Sequence, residues 1–375
     1  MSQSADSDTM VHKGGGRKTD ERNIMKIAVL SGGISPERDV SLSSGSMIAN
    51  ALAEKGHSVV MVDSFLGIEA PEEGLDALFK KLPDYKPQTI EVPSEPPDLE
   101  KVRRERRPDT GCNFGQNVLE ICRLADVVFI ALHGEGGEDG QVQATFDQLN
   151  IHYTGSGFYG CVKAMNKDVA KHLMKASRIP TVPWEHMIYP EDVHWDRIRA
   201  LGYPQFVKPT CGGSSIATYK CNNEEEVRQA LEEASKVSND LMCEAFFGGR
   251  EFDVGILDGK ALEPIEIIPV AEFFDYESKY QPGMSQEICP ADIPSEFAEI
   301  LKDAALQIHK CLGLGFYSRI DFKLKSDGSF TCLEANTLPG MTPGSLFPKE
   351  AKNAGISYPD LCDMIVRAAI RKDLF

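Results

Sequence analysis

Four polar residues near the carboxyl end, Arg319, Asp321, Glu334 and Asn336, are spaced so that two neighbouring strands would present them on one surface. They sit in residues 315–346, GFYSRIDFKLKSDGSFTCLEANTLPGMTPGSL. FYSRIDFKL alternates apolar and polar as a strand does, SDGS is a turn with Asp-Gly at its centre, and FTCLEAN alternates again, so the segment reads as a hairpin. Residues two apart on a strand share a face. Arg319 then stands beside Asp321 and Glu334 beside Asn336, while Ile320, Phe322, Leu333 and Ala335 point into a core. Three oxygen-bearing side chains and a guanidinium on one surface suit Mg²⁺ carrying phosphates, because that ion keeps much of its water and takes few carboxylates from protein. The ordinary alternative is a solvated polar face. What tips the reading toward chemistry is the loop that follows, NTLPGMTPG, of a kind that brings backbone N–H groups to a ligand.

Other stretches offer matching chemistry. In YPQFVKPTCGGSSIATYKC, Lys208 ends a strand and Gly212, Gly213, Ser214 and Ser215 form a connection small enough for its backbone to wrap phosphates. No helix with G-K-[ST] follows, so it is not a Walker loop. Glu244 and Glu251 flank the glycine turn of CEAFFGGREFDV, a hinge able to present a carboxylate to an amino group; simple exposed acids are the plainer account. SGGISPERDVS, with Glu37, follows the first strand, where a glycine turn positions a ligand at a helix N-terminus, although acids there are also favoured by the helix dipole alone. His133, in ALHGEGGEDG, stands at the carboxyl end of a strand, the edge at which open α/β sheets bind ligands; a lone His there is more often structural. The aperiodic segment EFFDYESKYQPGMSQE (272–287) reads as an active-site lid, with Lys279 and Tyr280 its most chemically capable residues.

The elements that must position these residues follow from periodicity. MKIAVLSGG, an amphipathic VSLSSGSMIANALAEKGH and HSVVMVDSF form a βαβ unit, the start of a doubly wound parallel sheet. The chain of 375 residues is long enough for two or three domains. Residues 1–24 are polar and aperiodic and read as a disordered tail. Residues 25–162 form an N-terminal α/β domain carrying a charged, proline-rich surface excursion at 67–116. Residues 163–244 and 245–375 form a central and a C-terminal part. A net charge of −17 argues against a nucleic-acid partner. Ten cysteines without C-x-x-C or zinc spacing, several inside apolar runs, point to a reducing, cytoplasmic location. No apolar run reaches membrane-spanning length, so no membrane association is expected.

Taken in order, GGISPERDVSLSSG, ALHGEGGEDG, MNKDVAK, FVKPTCGGSSI, ESKY, YSRIDF and LEANTLPGMTPGSL resemble the ATP-grasp superfamily and, within it, the D-alanine–D-alanine ligases. The resemblance spans roughly residues 25–370. It implies an α/β chain of three parts with ATP held between the central and C-terminal sheets. It also implies a reaction in which the carboxylate of one D-alanine is phosphorylated and then attacked by the amine of a second, for peptidoglycan precursor synthesis. Two Mg²⁺, replaceable by Mn²⁺, would sit on Asp321, Glu334 and Asn336. Lys167, Lys208 and Lys279 would hold ATP phosphates with Ser214 and Ser215. Glu244 would meet the adenine and Glu251 the ribose, with Phe247 also in the ATP site. Glu37 would bind the first ammonium with His133 nearby, and Ser214 and Tyr280 would bond to Glu37 and close the lid. Arg319 and the Gly340 amide would form the oxyanion hole, and Ser345 and Leu346 would bind the second carboxylate. A homodimer through the N-terminal domain is implied as well.

Two positions depart from the pattern: Ala217 replaces a common glycine, and Ala245 replaces a lysine found in some relatives. Lys279-Tyr280 is the pattern of dipeptide-forming members. Another ATP-grasp carboxylate–amine ligase with a different acid, or a nucleotide-binding module without activity, are the competing readings.

Overall fold

The structure is a computed structural model that describes residues 24–93, 95–213, 216–269 and 285–370. An uninterrupted apolar run forms β1 (Lys26–Ser31), which α1 (Arg38–Glu54) connects to β2 (Ser58–Asp63). The excursion after β2 holds a 3₁₀ turn at Leu75–Leu78 and a helix, α2 (Leu99–Glu105). The sequence carries no periodicity there. What makes α2 is its cap: the Asp98 carboxylate accepts from the Lys101 amide at 3.0 Å. Arg106 anchors the excursion by lying 4.4 Å from the Phe65 ring centroid and donating to the Phe114 carbonyl at 2.7 Å. Next come α3 (Val118–Leu124) and β3 (Val127–Ile130). The order β2-β1-β3 is all parallel, as buried, continuously apolar strands require.

Helices α4 (Gln141–Leu149), α5 (Phe158–Met165) and α6 (Lys167–Ala176) lead into a second sheet. That sheet is built from β4 (Trp184–Ile188), β5 (Gln205–Pro209), β6 (Tyr219–Cys221) and β7 (Asp240–Ala245), in antiparallel order β4-β7-β5-β6, with α7 (Trp195–Ala200) after β4 and α8 (Glu224–Ser235) after β6. Asn223 caps α8 by accepting from the Glu226 amide at 3.0 Å, and the Glu226 carboxylate returns a bond to the Asn222 amide.

The third sheet runs β11-β10-β8-β12-β13 with β9 on β8. Its strands are β8 (Arg250–Leu257), β9 (Lys260–Ala261), β10 (Ile265–Pro269), β11 (Ser285–Ile288), β12 (Tyr317–Leu324) and β13 (Phe330–Asn336). Residues 285–287, read from sequence as lid, belong to β11. The long helix α9 (Ser295–Leu312) covers this sheet with Leu301, Ala305, Ile308 and Leu312 buried.

α9 also buries His309, whose Nδ1 lies 2.8 Å from the Ser318 hydroxyl of β12. Burial presses the His309 pKa down from 6.5 to about 4. The unfolded chain therefore takes up a proton that the folded chain refuses, and stability is lost as pH falls from 6.5 toward 4. The shift corresponds to about 3 kcal/mol. His309→Gln should remove that part of the acid sensitivity, seen as a flatter dependence of Tm on pH over this window.

The chain ends its described part in α10 (Leu346–Asn353) and α11 (Tyr358–Ala369). The sequence division leaves both in the C-terminal part. Instead Leu361, Cys362, Ile365 and Val366 of α11 join the core of the first sheet with Ile27, Val29, Ile48 and Phe129. His57 completes the junction: it accepts from the Met25 amide at 3.2 Å and its other ring nitrogen lies 2.8 Å from Asp363.

Candidate active site

The β12–β13 hairpin pairs Arg319 with Asn336, Ile320 with Ala335 and Asp321 with Glu334, so the four polar side chains share one face. Beyond Asp321 the register slips, and Phe322 meets Cys332 rather than Leu333. A bulge of this kind leaves one residue unpaired and reverses the alternation beyond it. Leu333 consequently lines the cavity, correcting its expected place in the core, and Cys332, 1% exposed, fills that place.

That face forms one wall of a cavity of about 340 Å³ between the second and third sheets. Lys167, Lys208, Glu244, Phe247, Glu251, Asp321 and Glu334 all line it, so the expected phosphate, adenine, ribose and metal positions converge. Lys167, at the start of α6, donates to the Gly212 carbonyl at 2.6 Å and lies 3.8 Å from Glu334. Burial lowers its pKa, against the pull of Glu334. Glu244, on β7, is only 3% exposed. Burial pushes its carboxyl up, but the ammonium groups of Lys208 and Lys171 outweigh this and hold it down at about 2. Glu251 is paired with Lys323 at 2.8 Å.

Arg319 is clamped between two carboxylates. It donates to both oxygens of Asp321 at 2.8 and 2.9 Å and lies 2.9 Å from Asp253. Asn336 donates its amide to Asp321 at 3.1 Å. Asp253 is the cross-strand neighbour of Asp321 on β8. Burial, and then the charge of Asp321, raises its pKa well above the carboxylate range, opposed by Arg319.

The first sheet contributes no lining to this cavity but approaches its glycine loop, where a β-carbon on Gly213 would stand 3.8 Å from the Glu37 carboxylate. Arg38 is spent structurally: its guanidinium bonds the Gly33 carbonyl at 2.6 Å and pairs with Asp63. This leaves Glu37 directed at Gly134, where φ is +67° and a β-carbon would stand 2.5 Å from the carboxylate, so only glycine fits. His133 is 8% exposed, its pKa lowered by burial against the pull of Glu37. Glu138 accepts from the amides of Gly134 (2.9 Å) and Leu338 (3.2 Å), tying the first sheet to the loop after β13. Burial and the charge of Glu37 push Glu138 up to about 8.

Ser345 and Leu346 stand at the N-terminus of α10, with the Ser345 hydroxyl 2.8 Å from that of Thr342 and packed on Gly340. Neither lines the cavity; their helix is fixed to the third sheet by Glu350, a fully buried residue that accepts from the Gly255 amide of β8 at 2.8 Å. Ser214, Ser215, Lys279 and Tyr280 lie outside the described residues, as do the tail 1–23 and lid residues 272–284. Ala217 adopts φ 53°, a left-handed conformation that explains why glycine is the easier residue there.

Lys171, Asp253, Glu138 and Glu350 were not singled out from sequence. Asp253 had a signal, since it lies two residues from Glu251 on one strand. Lys171 had one too, one helical turn from Lys167. Glu350 had none: its helix lies in a stretch to which the sequence assigned no element.

Among the described residues no three His, Cys, Asp or Glu side chains form a metal cage. The oxygen donors Asp321, Glu334 and Asn336 fit an ion held largely through a ligand's phosphates. All ten cysteines are free thiols. No described helix is long and apolar enough to cross a membrane.

Residues 26–156 match the family described as D-ala D-ala ligase N-terminus and residues 173–367 the D-ala D-ala ligase C-terminus. The D-alanine–D-alanine ligase of Pediococcus pentosaceus is 42% identical over 347 residues, covering 91% of this chain and 97% of that one. The enzyme of the same name from Geobacter sulfurreducens is 36% identical over 352 residues, covering 93% and 96%. Among solved structures, D-alanine–D-alanine ligase from Bacillus anthracis complexed with ATP is similar with a TM-score of 0.72 at 29% identity, covering 92% of this chain and 98% of that one.

Proposed function

The chain belongs to the D-alanine–D-alanine ligase family, and from that premise we propose how its own residues carry out an ATP-dependent union of two D-alanines. A carboxylate is a poor electrophile. Its oxygen attacks the γ-phosphorus of ATP, the bond to the β-phosphate oxygen breaks, and D-alanyl phosphate and ADP result. The amine of the second D-alanine then adds to the carbonyl carbon, and the tetrahedral adduct expels inorganic phosphate to leave D-alanyl-D-alanine.

Positioning and charge stabilisation carry most of such a reaction. Lys167, Lys208 and Lys279, with Ser214 and Ser215, hold the phosphates. Glu244 and Phe247 hold the adenine and Glu251 the ribose. Asp321, Glu334 and Asn336 would hold two Mg²⁺, or Mn²⁺, which when bound neutralise charge on the phosphates. Glu37, with His133 beside it, fixes the first ammonium. Arg319 and the Gly340 amide point donors at the developing oxyanion. Ser345 and Leu346 take the second carboxylate on the α10 N-terminus. Tyr280 and Ser214 bond to Glu37 and exclude water from the acyl phosphate. The observation that carries this reading is the convergence of Lys167, Lys208, Asp321 and Glu334 on one cavity with Arg319 against Asp321.

We place the parts at 25–162, 163–244 and 245–375, the protein in the cytoplasm, where free thiols persist, and its product in peptidoglycan precursor synthesis. Resemblance supports a homodimer. ADP release should require D-alanine and Mg²⁺ and should not occur with L-alanine. Equal turnover with L-alanine or with hydroxy acids in a substrate panel would overturn the assignment.

A further inference from the structure

A second cavity, of about 680 Å³, lies away from the site above, in the groove between α6 and the edge strand β4. One wall is apolar, formed by Ile179, Pro180, Pro183 and the Trp184 ring. Lys175 and Arg178, both exposed, line the groove too, with the Lys175 ammonium 5.9 Å from the Trp184 ring centroid. The groove's carboxylates are already engaged: Asp168 accepts from the Trp184 indole N–H at 2.6 Å, and Glu185 lies 3.2 Å from Arg197. Among the described residues neither Lys175 nor Arg178 has a carboxylate partner, in a chain whose net charge is −17.

Arg178 also occupies a costly backbone position. It follows the C-cap of α6 with φ 60°, and the next amide, Ile179, bonds back to the Met174 carbonyl at 2.9 Å. Helices closed in this way usually place glycine there, because a β-carbon in the left-handed region is strained. Here a long cation is kept where glycine would relieve the strain.

The groove is tied to the nucleotide cavity by one side chain. Lys171, 3% exposed, donates to the Thr181 hydroxyl at 2.8 Å and the Val182 carbonyl at 3.3 Å in the groove wall, and lies 5.2 Å from the Trp184 ring centroid. The same ammonium pairs with Glu244 in the nucleotide cavity.

We propose that this groove is a second ligand site, taking a phosphorylated small molecule with a flat ring, and that Lys171 couples it to the nucleotide cavity. The ring lies against Trp184 and the prolines, and the phosphate is held by Arg178, whose planar fork suits it, with Lys175. The cavity is of ordinary size for such a ligand. The binding half of this proposal stands alone; the coupling half rests on the ATP reading.

The test uses full-length protein carrying Trp195→Phe, which leaves Trp184 as the single tryptophan of two, and phenyl phosphate as probe, without ATP. Trp184 emission should change saturably with phenyl phosphate, and more weakly with phenol or inorganic phosphate alone. Arg178→Gly relieves the strained backbone, so it should melt no lower than the parent yet bind the probe roughly tenfold more weakly, the loss of a charge-assisted contact. Saturating probe should shift the Kd for ATP measured by calorimetry, with the reciprocal shift in probe affinity. Thr181→Val, which removes one of the groove-side bonds of Lys171 and leaves those to the Val182 carbonyl and the Trp184 ring, should weaken both shifts. Unchanged probe binding in Arg178→Gly, phenol binding as tightly as phenyl phosphate, or outright displacement of the probe by ATP would overturn the site. An ATP affinity indifferent to the probe would overturn the coupling.

Discussion

Glu334→Gln should leave the protein folded and lower kcat by roughly 10²–10³. The substitution preserves shape and removes one negative charge from the wall of the nucleotide cavity, where Glu334 stands across from Asp321 and 3.8 Å from Lys167. A side chain on a partly exposed face of a hairpin contributes little to the core, so Tm should move by no more than a few degrees. The transferring phosphoryl group depends on charges held in fixed places. Rates of ADP release with D-alanine, measured beside thermal melts, separate the two effects. A variant with parental turnover would show that the hairpin face takes no part in catalysis and would favour a binding module.

The second large effect is at Arg319. Arg319→Met removes the cation lying between Asp321 and Asp253, both of which are buried. Leaving buried carboxylates without their partner costs about 3–5 kcal/mol, so urea unfolding should shift to much lower midpoints. Asp321→Asn in the same chain should recover part of that loss, because the uncompensated charge then goes with it. Arg319→Lys keeps the charge but cannot donate in the bidentate fork. It should fold, and still lose roughly 10²–10³ in kcat, because a donor aimed at the oxyanion is displaced. Near-parental activity in Arg319→Lys would place the oxyanion hole elsewhere.

The hairpin was legible because a period of two assigns faces without any tertiary knowledge, which set Arg319 with Asp321 and Glu334 with Asn336; the register that pairs Arg319 with Asn336 and Asp321 with Glu334 belongs to the fold. The same rule misplaced Leu333, since a bulge is a property of the pair of strands and not of either strand's pattern. Lys167 came only with the family resemblance, whereas Lys208 stood out as a cation ending a strand before a glycine-rich connection. Lys171 did not, because a lysine on a helix reads as solvated surface until the fold buries it against Glu244 and Trp184. Glu350 was invisible for the same reason. Its burial depends on Gly255, far away in sequence, leaving room for the carboxylate. The placing of α11 on the first sheet was equally out of reach, because an apolar stripe declares that it is covered and not by what.

That last contact has a consequence for synthesis. The parallel sheet leaves the ribosome well before α11 does, so the apolar surface around Ile48 and Phe129 waits for that helix. Until then the nascent chain carries an open hydrophobic face, the condition under which chaperones engage and aggregation begins. Closure of this core therefore joins segments far apart in the chain, α11 finishing what β1 starts.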